Sequence, residues 1–293
     1  MNAGLAELAV TAGLDVDDLE RVVATALDED LRYGPDLTSE ATIPESRRLR
    51  AEVVARQPGV LCGVVVALAV LDAVGLPLEG ATMRRADAAP IEPGDAVLAI
   101  DGPARALLLA ERTMLNLMTH LSGVATATSR WVEALAGTAC AVRDTRKTTP
   151  GLRQLEKYAV RCGGGTNHRR GLGDAALLKD NHVAAAGGIT RAVAAIRASH
   201  PHVALEVECD TLEQVREALD AGCSLILLDN MDRDAITSAV EAIRHFPGVL
   251  VEASGSMTLE RARAVAEAGV DYIAVGSLTH SAAALDLGLD VVA

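Results

Sequence analysis

Residues 203–230 read VALEVECDTLEQVREALDAGCSLILLDN, and this stretch decides the fold. VALEVEC and SLILLDN are apolar runs of strand length, the texture of strands covered on both faces in a parallel sheet. Between them TLEQVREALDAG carries apolar residues at helical spacing and stops at a glycine. The unit repeats in both directions. Upstream lie a strand in TACAVRDT, a helix from Pro150 to Arg161 followed by Gly163–Gly165, a strand in DAALLKD and a helix in ITRAVAAIRAS. Downstream come DRDAITSAVEAIRHF, GVLVEAS, TLERARAVAEAG and DYIAVGS as helix, strand, helix and strand. Glu208, Asp229, Ser254 and Gly276 end their strands one βα unit apart, and in an α/β barrel such ends share one rim. The expected fold is therefore α/β, an atypical barrel with fewer strands than usual, and an open doubly wound sheet is the alternative.

The N-terminal part has another texture. Asp17 to Leu27 reads as a helix with acids in its first turn, and Gly34 and Pro35 break it off. From Arg48 to about Ile100, short strands, Pro-Gly turns at 58–59 and 93–94 and an apolar helix make a smaller α+β sandwich domain. A helix from Ala104 to about Ala136, carrying Glu111, Arg112, Asn116 and His120, leads out of it. The expected domains are 1–116 and the barrel 117–279, with the alternating LDLGLDVV of 280–293 returning to the first.

Composition narrows the function. The chain has 293 residues, a formal net charge of −13 and a pI near 5.0, which argues against a nucleic-acid or anionic-membrane partner. Stacking platforms for bases are scarce, since the aromatics are Trp131, Phe246, Tyr33, Tyr158 and Tyr272. The five cysteines are odd in number and lack CxxC spacing, suggesting neither a disulfide framework nor a zinc site. An acidic start without a secretory n-region, and a longest apolar run of 12 residues (Val60–Leu71), lead us to expect a cytoplasmic protein.

Against this acidic background, Arg143 to Lys179 holds nine Lys/Arg and three Asp/Glu, including all three lysines of the chain, Lys147, Lys157 and Lys179. Arg is a rigid fork and Lys a mobile point charge, so the switch to Lys marks an anion site. In TRKTTPGLR, Thr145, Arg146 and Lys147 follow a strand, where they can bind carboxylate and phosphate. A solvated loop is the plainer reading. In GGGTNHRRGLGD the glycines leave bare backbone for a tight turn or a close ligand, and His168 and Arg169 follow. His168 reads equally as a structural histidine, and Arg170 as solvent-facing. Lys179 sits at a strand end and needs a counter-charge, whether Asp180 or a polyphosphate. Glu208 and Asp229 have three possible tasks: holding a divalent metal, stabilising developing positive charge, or neutralising Lys179. Asp210 and Asp232 read as helix caps, and Glu252 as a structural residue pointing away from the site. The loops SGSM (254–257) and VGSLTHS (275–281) can cradle a phosphate.

These motifs, with EDLRYGPDLTSEATIP and ERTMLNLMTHLSGVAT, resemble the quinolinate phosphoribosyltransferases over nearly the whole chain. The resemblance implies a cytoplasmic homodimer that joins quinolinate to 5-phosphoribosyl-1-pyrophosphate with Mg²⁺, releasing pyrophosphate and carbon dioxide and giving nicotinate mononucleotide for NAD synthesis. It implies that Arg146, His168 and Arg169 hold the quinolinate carboxylates, while Lys147 and Lys179 lie along the pyrophosphate. Glu208 and Asp229 would meet the ribose hydroxyls or the metal. Ser254, Gly255, Ser256, Gly276, Ser277 and Leu278 would meet the 5-phosphate, and Arg112 would reach the neighbouring subunit's site. Ser256 and Ser277 depart from the pattern, which bears on the details of the phosphate contact. A nicotinate phosphoribosyltransferase is the rival enzyme. A paralogue linked to molybdenum transport shares the fold. A non-catalytic phosphometabolite-binding barrel is the rival of another class.

Overall fold

The structure is a computed structural model, and it describes residues 1–292. It divides into two compact units. The barrel unit comprises Arg130–Lys147 and Gly165–Ser277, and the other comprises Met1–Ser129, Thr148–Gly164 and the residues from Leu278 onward. The division differs from the expected 1–116 and 117–279. One helix, Ala104–Ala134, runs unbroken through the boundary, with neither proline nor a turn signal to mark it.

The barrel unit has six parallel strands: β1 (Ala141–Arg143), β2 (Ala176–Leu178), β3 (Leu205–Cys209), β4 (Leu225–Asp229), β5 (Leu250–Ser254) and β6 (Tyr272–Ala274). Their spatial order is β1-β6-β5-β4-β3-β2, so the first strand pairs with the last, at Ala141↔Tyr272, Val142↔Ile273 and Ala274↔Arg143. A doubly wound sheet reverses its order partway; this sheet curls round and returns to its start, which settles the α/β-barrel reading. The ring is open between β1 and β2, where a single parallel bridge joins Arg143 to Thr166.

Two of the helices between the strands are capped by short polar side chains. Thr211 accepts from the Gln214 N–H at 3.3 Å, and Asp232 from the Ala235 N–H at 2.9 Å. Asp232 thus caps as expected, whereas Asp210 does not: the cap is its neighbour Thr211, whose capping box with Gln214 satisfies the freed N–H groups. A helix absent from the sequence reading, Asp180–Ala186, starts directly after Lys179.

In the other unit an antiparallel sheet has Arg48–Ala55 at its centre, flanked by Leu287–Val292 and Ala96–Pro103, with Ala81–Met83 beyond the latter. The closing strand therefore pairs inside this unit, from Arg50↔Val292 to Ala55↔Leu287. The helix Val64–Ala73 has every residue from Val64 to Leu71 buried, which is why its sequence is apolar all round. The helix Arg153–Cys162 belongs here too, burying Leu155 to Val160, with the Tyr158 hydroxyl donating to Asp87 at 2.7 Å. Lys157 is fully buried on this helix, so one of the three lysines serves the core and not the anion site. Gly163 ends it: a Cβ there would lie 2.3 Å from the Ala125 carbonyl oxygen and 2.6 Å from Thr128 Cβ. This glycine permits close packing of backbone on helix, not approach of a ligand.

Candidate functional site

Period two along each barrel strand places Glu206 and Glu208 of β3, Leu227 and Asp229 of β4, and Glu252 and Ser254 of β5 toward the interior. The later residue of each pair stands at the carboxyl rim, the earlier one deeper. A cavity of about 330 Å³ opens at this rim. Four cations line it, Arg146, Lys147, Arg169 and Lys179, together with Glu208, Asp229 and Ser254. Thr145 and His168 complete the set of expected residues found there.

The cations are arranged for an anion. The Thr145 hydroxyl accepts the Lys147 N–H at 2.9 Å, which fixes the turn after β1 that carries Arg146 and Lys147. Arg146 Nε is buried without a partner among the described residues. Arg169 donates through Nη1 to the Ala175 carbonyl at 2.9 Å, and burial, then the charge of Arg146, pull its pKa down. Two guanidinium groups that destabilise each other's charge gain most from a carboxylate placed between them. Lys179 Nζ donates to Glu208 Oε2 at 3.0 Å; the lysine is half-exposed and its partner 11% exposed, so the ammonium can swing to a ligand while the carboxylate stays.

Asp229 accepts from the Asn230 side chain at 2.7 Å. Nearby, the Asp210 carboxyl has its pKa raised by burial first and then by the charges of Asp229 and Asp180. Crowded carboxylates on a rim are the oxygen donors that suit a hard divalent cation, so Asp229 fits Mg²⁺; Glu208 is already engaged by Lys179. Deeper, His168, Glu206 and Glu252 also bring ligand atoms within 4.8 Å of one another. That cluster does not fit a metal. His168 Nδ1 accepts the Arg169 N–H at 2.7 Å, so the proton sits on Nε2, which lies 2.9 Å from Glu206 and 3.5 Å from Glu252.

The same contacts describe how His168 is held. Both ring nitrogens have contacts inside the protein and the side chain is 9% exposed. The imidazole fixes the backbone of Arg169, and the His168 main-chain N–H donates to Asp144 Oδ1 at 2.9 Å. Glu252 differs from expectation. It shares the inward face with Ser254, is fully buried, lines the cavity and accepts from Arg143 Nη1 at 2.7 Å. Arg143, Glu206 and Glu252 were missed, although each acid sits two positions before a rim residue already singled out.

Ser254 ends β5, and Gly255 follows with φ +90°. A Cβ at Gly255 would lie 2.4 Å from Asn230 Oδ1 and 2.8 Å from the Asn230 nitrogen, so only glycine fits this turn. Gly255, Ser256, Gly276, Ser277 and Leu278 are not among the residues lining the cavity, and Leu278 has a buried side chain; what these loops offer is backbone N–H and serine hydroxyl. Arg112 is exposed on Ala104–Ala134 in the other unit, with no ion pair among the described residues.

Two family models match the chain: the N-terminal domain of quinolinate phosphoribosyl transferase over residues 36–122 and its C-terminal domain over 124–290. The carboxylating nicotinate-nucleotide pyrophosphorylase of Mycobacterium leprae is 51% identical over 280 residues, covering 94% of this chain and 98% of the relative. A probable enzyme of the same name from Bacillus subtilis is 42% identical over 271 residues, 90% of each chain. Among solved structures, NadC from Streptococcus pyogenes superposes with a TM-score of 0.88 at 38% identity, covering 96% of this chain and 99% of that one. Human nicotinic acid phosphoribosyltransferase shares the fold alone, with a TM-score of 0.64 at 15% identity over 94% of this chain and 74% of that one.

Proposed function

The chain belongs to the quinolinate phosphoribosyltransferase family, and from that premise we propose how its barrel mouth joins quinolinate to 5-phosphoribosyl-1-pyrophosphate. The products are nicotinate mononucleotide, pyrophosphate and carbon dioxide, a step of NAD biosynthesis. The observation that carries the site assignment is the convergence of Arg146, Lys147, Arg169 and Lys179 with Glu208 and Asp229 on one cavity of an acidic protein. Both substrates are polyanions, and cations focused in a cleft raise their local concentration.

Arg146 and Arg169 grip the two carboxylates of quinolinate, with His168 holding Arg169 in place. Lys147 and Lys179 lie along the pyrophosphate, and Ser254, Gly255 and Ser256 with Gly276, Ser277 and Leu278 receive the 5-phosphate through hydroxyl and N–H groups. The pyridine nitrogen attacks with its own lone pair, so the site needs no base to create a nucleophile. Glu208 and Asp229 face the ribose, where they favour the positive charge that develops as pyrophosphate leaves. Asp229, with Glu208 beside it, would hold Mg²⁺, which would supply charge neutralisation for the pyrophosphate. The reading places the reaction in the cytoplasm, where the five free cysteines stay reduced.

A homodimer completes the proposal, with Arg112 reaching the neighbouring subunit's site; its support is an exposed guanidinium left without an ion pair among the described residues. Mixing inactive Arg112→Ala and Lys147→Ala subunits should restore part of the activity. No recovery, with mixed dimers verified, removes the claim. The reaction itself is tested by supplying quinolinate, the ribosyl pyrophosphate and Mg²⁺ and measuring carbon dioxide and pyrophosphate, which should appear in equal amounts. Turnover of nicotinate but not quinolinate would move the chain to the rival activity.

A further inference from the structure

Loss of carbon dioxide leaves a proton unaccounted for. When the bond between the ring carbon and its carboxylate breaks, the electron pair stays on that carbon, beside the positively charged ring nitrogen. The carbon must then gain one proton to become the C–H of nicotinate mononucleotide. The ring nitrogens of His168 are turned into the protein, and Lys179 stands at the rim, where the proposed reaction gives it to the pyrophosphate.

One acid beneath the cavity is built differently. Glu252 is fully buried, its Oε2 accepts from Arg143, and its Oε1 has no hydrogen-bond partner among the described residues. The titratable and charged groups around it are Arg143 from β1, with the Tyr272 ring of β6 4.1 Å from that guanidinium, Glu206 from β3, and His168 from the loop bridging the open side. His168 Nδ1 accepts a backbone N–H, so Nε2 is the ring nitrogen turned toward the two acids. Two buried carboxyl groups thus stand together, with Arg143 paired to Glu252 and Arg169 within charge reach of Glu206. One proton stays with such a pair. Burial first, then the charge of Glu206, raise the Glu252 pKa to about 7, against the opposing pulls of His168 and Arg143.

We infer that Glu252 is the acid that protonates the ring carbon vacated by carbon dioxide, a role that rests on the reaction proposed above. As the carboxyl–carbon bond breaks, the Glu252 O–H proton passes in the same step to the electron pair left on the ring carbon, and Glu252 is left as a carboxylate facing Arg143. Solvent returns the proton, so each turnover consumes one. A second cavity of about 290 Å³, which shares His168 and Arg169 with the first and is lined by Glu206, gives solvent an approach to the far side of the cluster.

The test separates the two halves of the reaction in single-turnover experiments that follow pyrophosphate and carbon dioxide together. Glu252→Gln should release pyrophosphate ahead of carbon dioxide, accumulate the undecarboxylated mononucleotide, and slow the carbon dioxide step by about 100-fold or more, as loss of a general acid does. Glu252→Asp, which keeps an acid, should restore near-equal release. In the wild-type protein the decarboxylating step should slow as pH rises through about 7, because the proton is present below that pKa and lost above it, while the pyrophosphate step does not follow the same curve. Equal release from Glu252→Gln overturns the inference. Should that variant not fold, the wild-type profile decides, and a decarboxylation rate that stays level across it overturns the inference equally. Wild-type protein that yields neither product from quinolinate would instead refute the reaction, leaving the role of Glu252 without a premise.

Discussion

Arg169→Met separates the energetics of the site from those of the fold. The side chain keeps its length and apolar stem but loses its charge and its donors. In the ligand-free protein two effects of opposite sign compete. Losing the Nη1 bond to the Ala175 carbonyl costs about 1 kcal/mol. Removing the repulsion with Arg146, one of the causes of the depressed Arg169 pKa, returns a similar amount, since charges near a protein surface interact by about 1–4 kcal/mol. The melting midpoint should therefore move by no more than about 3 °C in either direction. Quinolinate binding faces no such compensation. Losing one partner of a buried, hydrogen-bonded charge pair costs about 2–5 kcal/mol, roughly 30-fold to several thousand-fold in affinity. Thermal melting of the free protein and calorimetric titration with quinolinate read the two quantities separately. Quinolinate affinity within about threefold of wild type would refute the assignment of Arg169 to a substrate carboxylate. A large fall in melting midpoint would show Arg169 to be structural and would overturn the sign argument.

Arg143→Met should destabilise the fold by up to about 3–5 kcal/mol, because it strands the fully buried Glu252; protonation of that acid discounts the figure, and Arg143→Met with Glu252→Gln should melt higher than Arg143→Met alone. Gly255→Ala forces a Cβ to within 2.4 Å of Asn230 and onto a positive φ, so the loop should distort at a cost of about 1–3 kcal/mol, raising KM for the ribosyl pyrophosphate more than it lowers kcat. An unchanged KM would take this loop out of phosphate binding. Gly163→Ala meets the Ala125 carbonyl at 2.3 Å and should lower the denaturation midpoint, with the substrate affinities of surviving folded protein unchanged.

Much of the molecule was legible without coordinates, for reasons that can be named. The alternation of apolar strand and amphipathic helix from Thr138 onward is a local pattern, set by covering both faces of a parallel sheet, and it gave the α/β class and the order of elements. Concentrating cations in an acidic chain is a matter of composition, and it pointed to Arg146, Lys147, Arg169 and Lys179 before any distance was known. The strand-end acids Glu208 and Asp229 followed from the regular step of the βα unit.

What depended on residues far apart in sequence was decided by the tertiary structure. The return of the sheet to its first strand is a pairing of Ala141 with Tyr272, a register that no local pattern encodes. The orientation of the His168 ring follows from the Arg169 N–H on one side and the acids of β3 and β5 on the other. Whether Glu252 faces the helices or the barrel interior turns on which face of β5 the ring encloses, and a shift by one residue exchanges the two faces. Sequence therefore fixed which charges this protein has and where along the chain they cluster. Folding decided which of them lose water together, and it is the loss of water that turns a carboxyl into an acid and a pair of guanidinium groups into a grip.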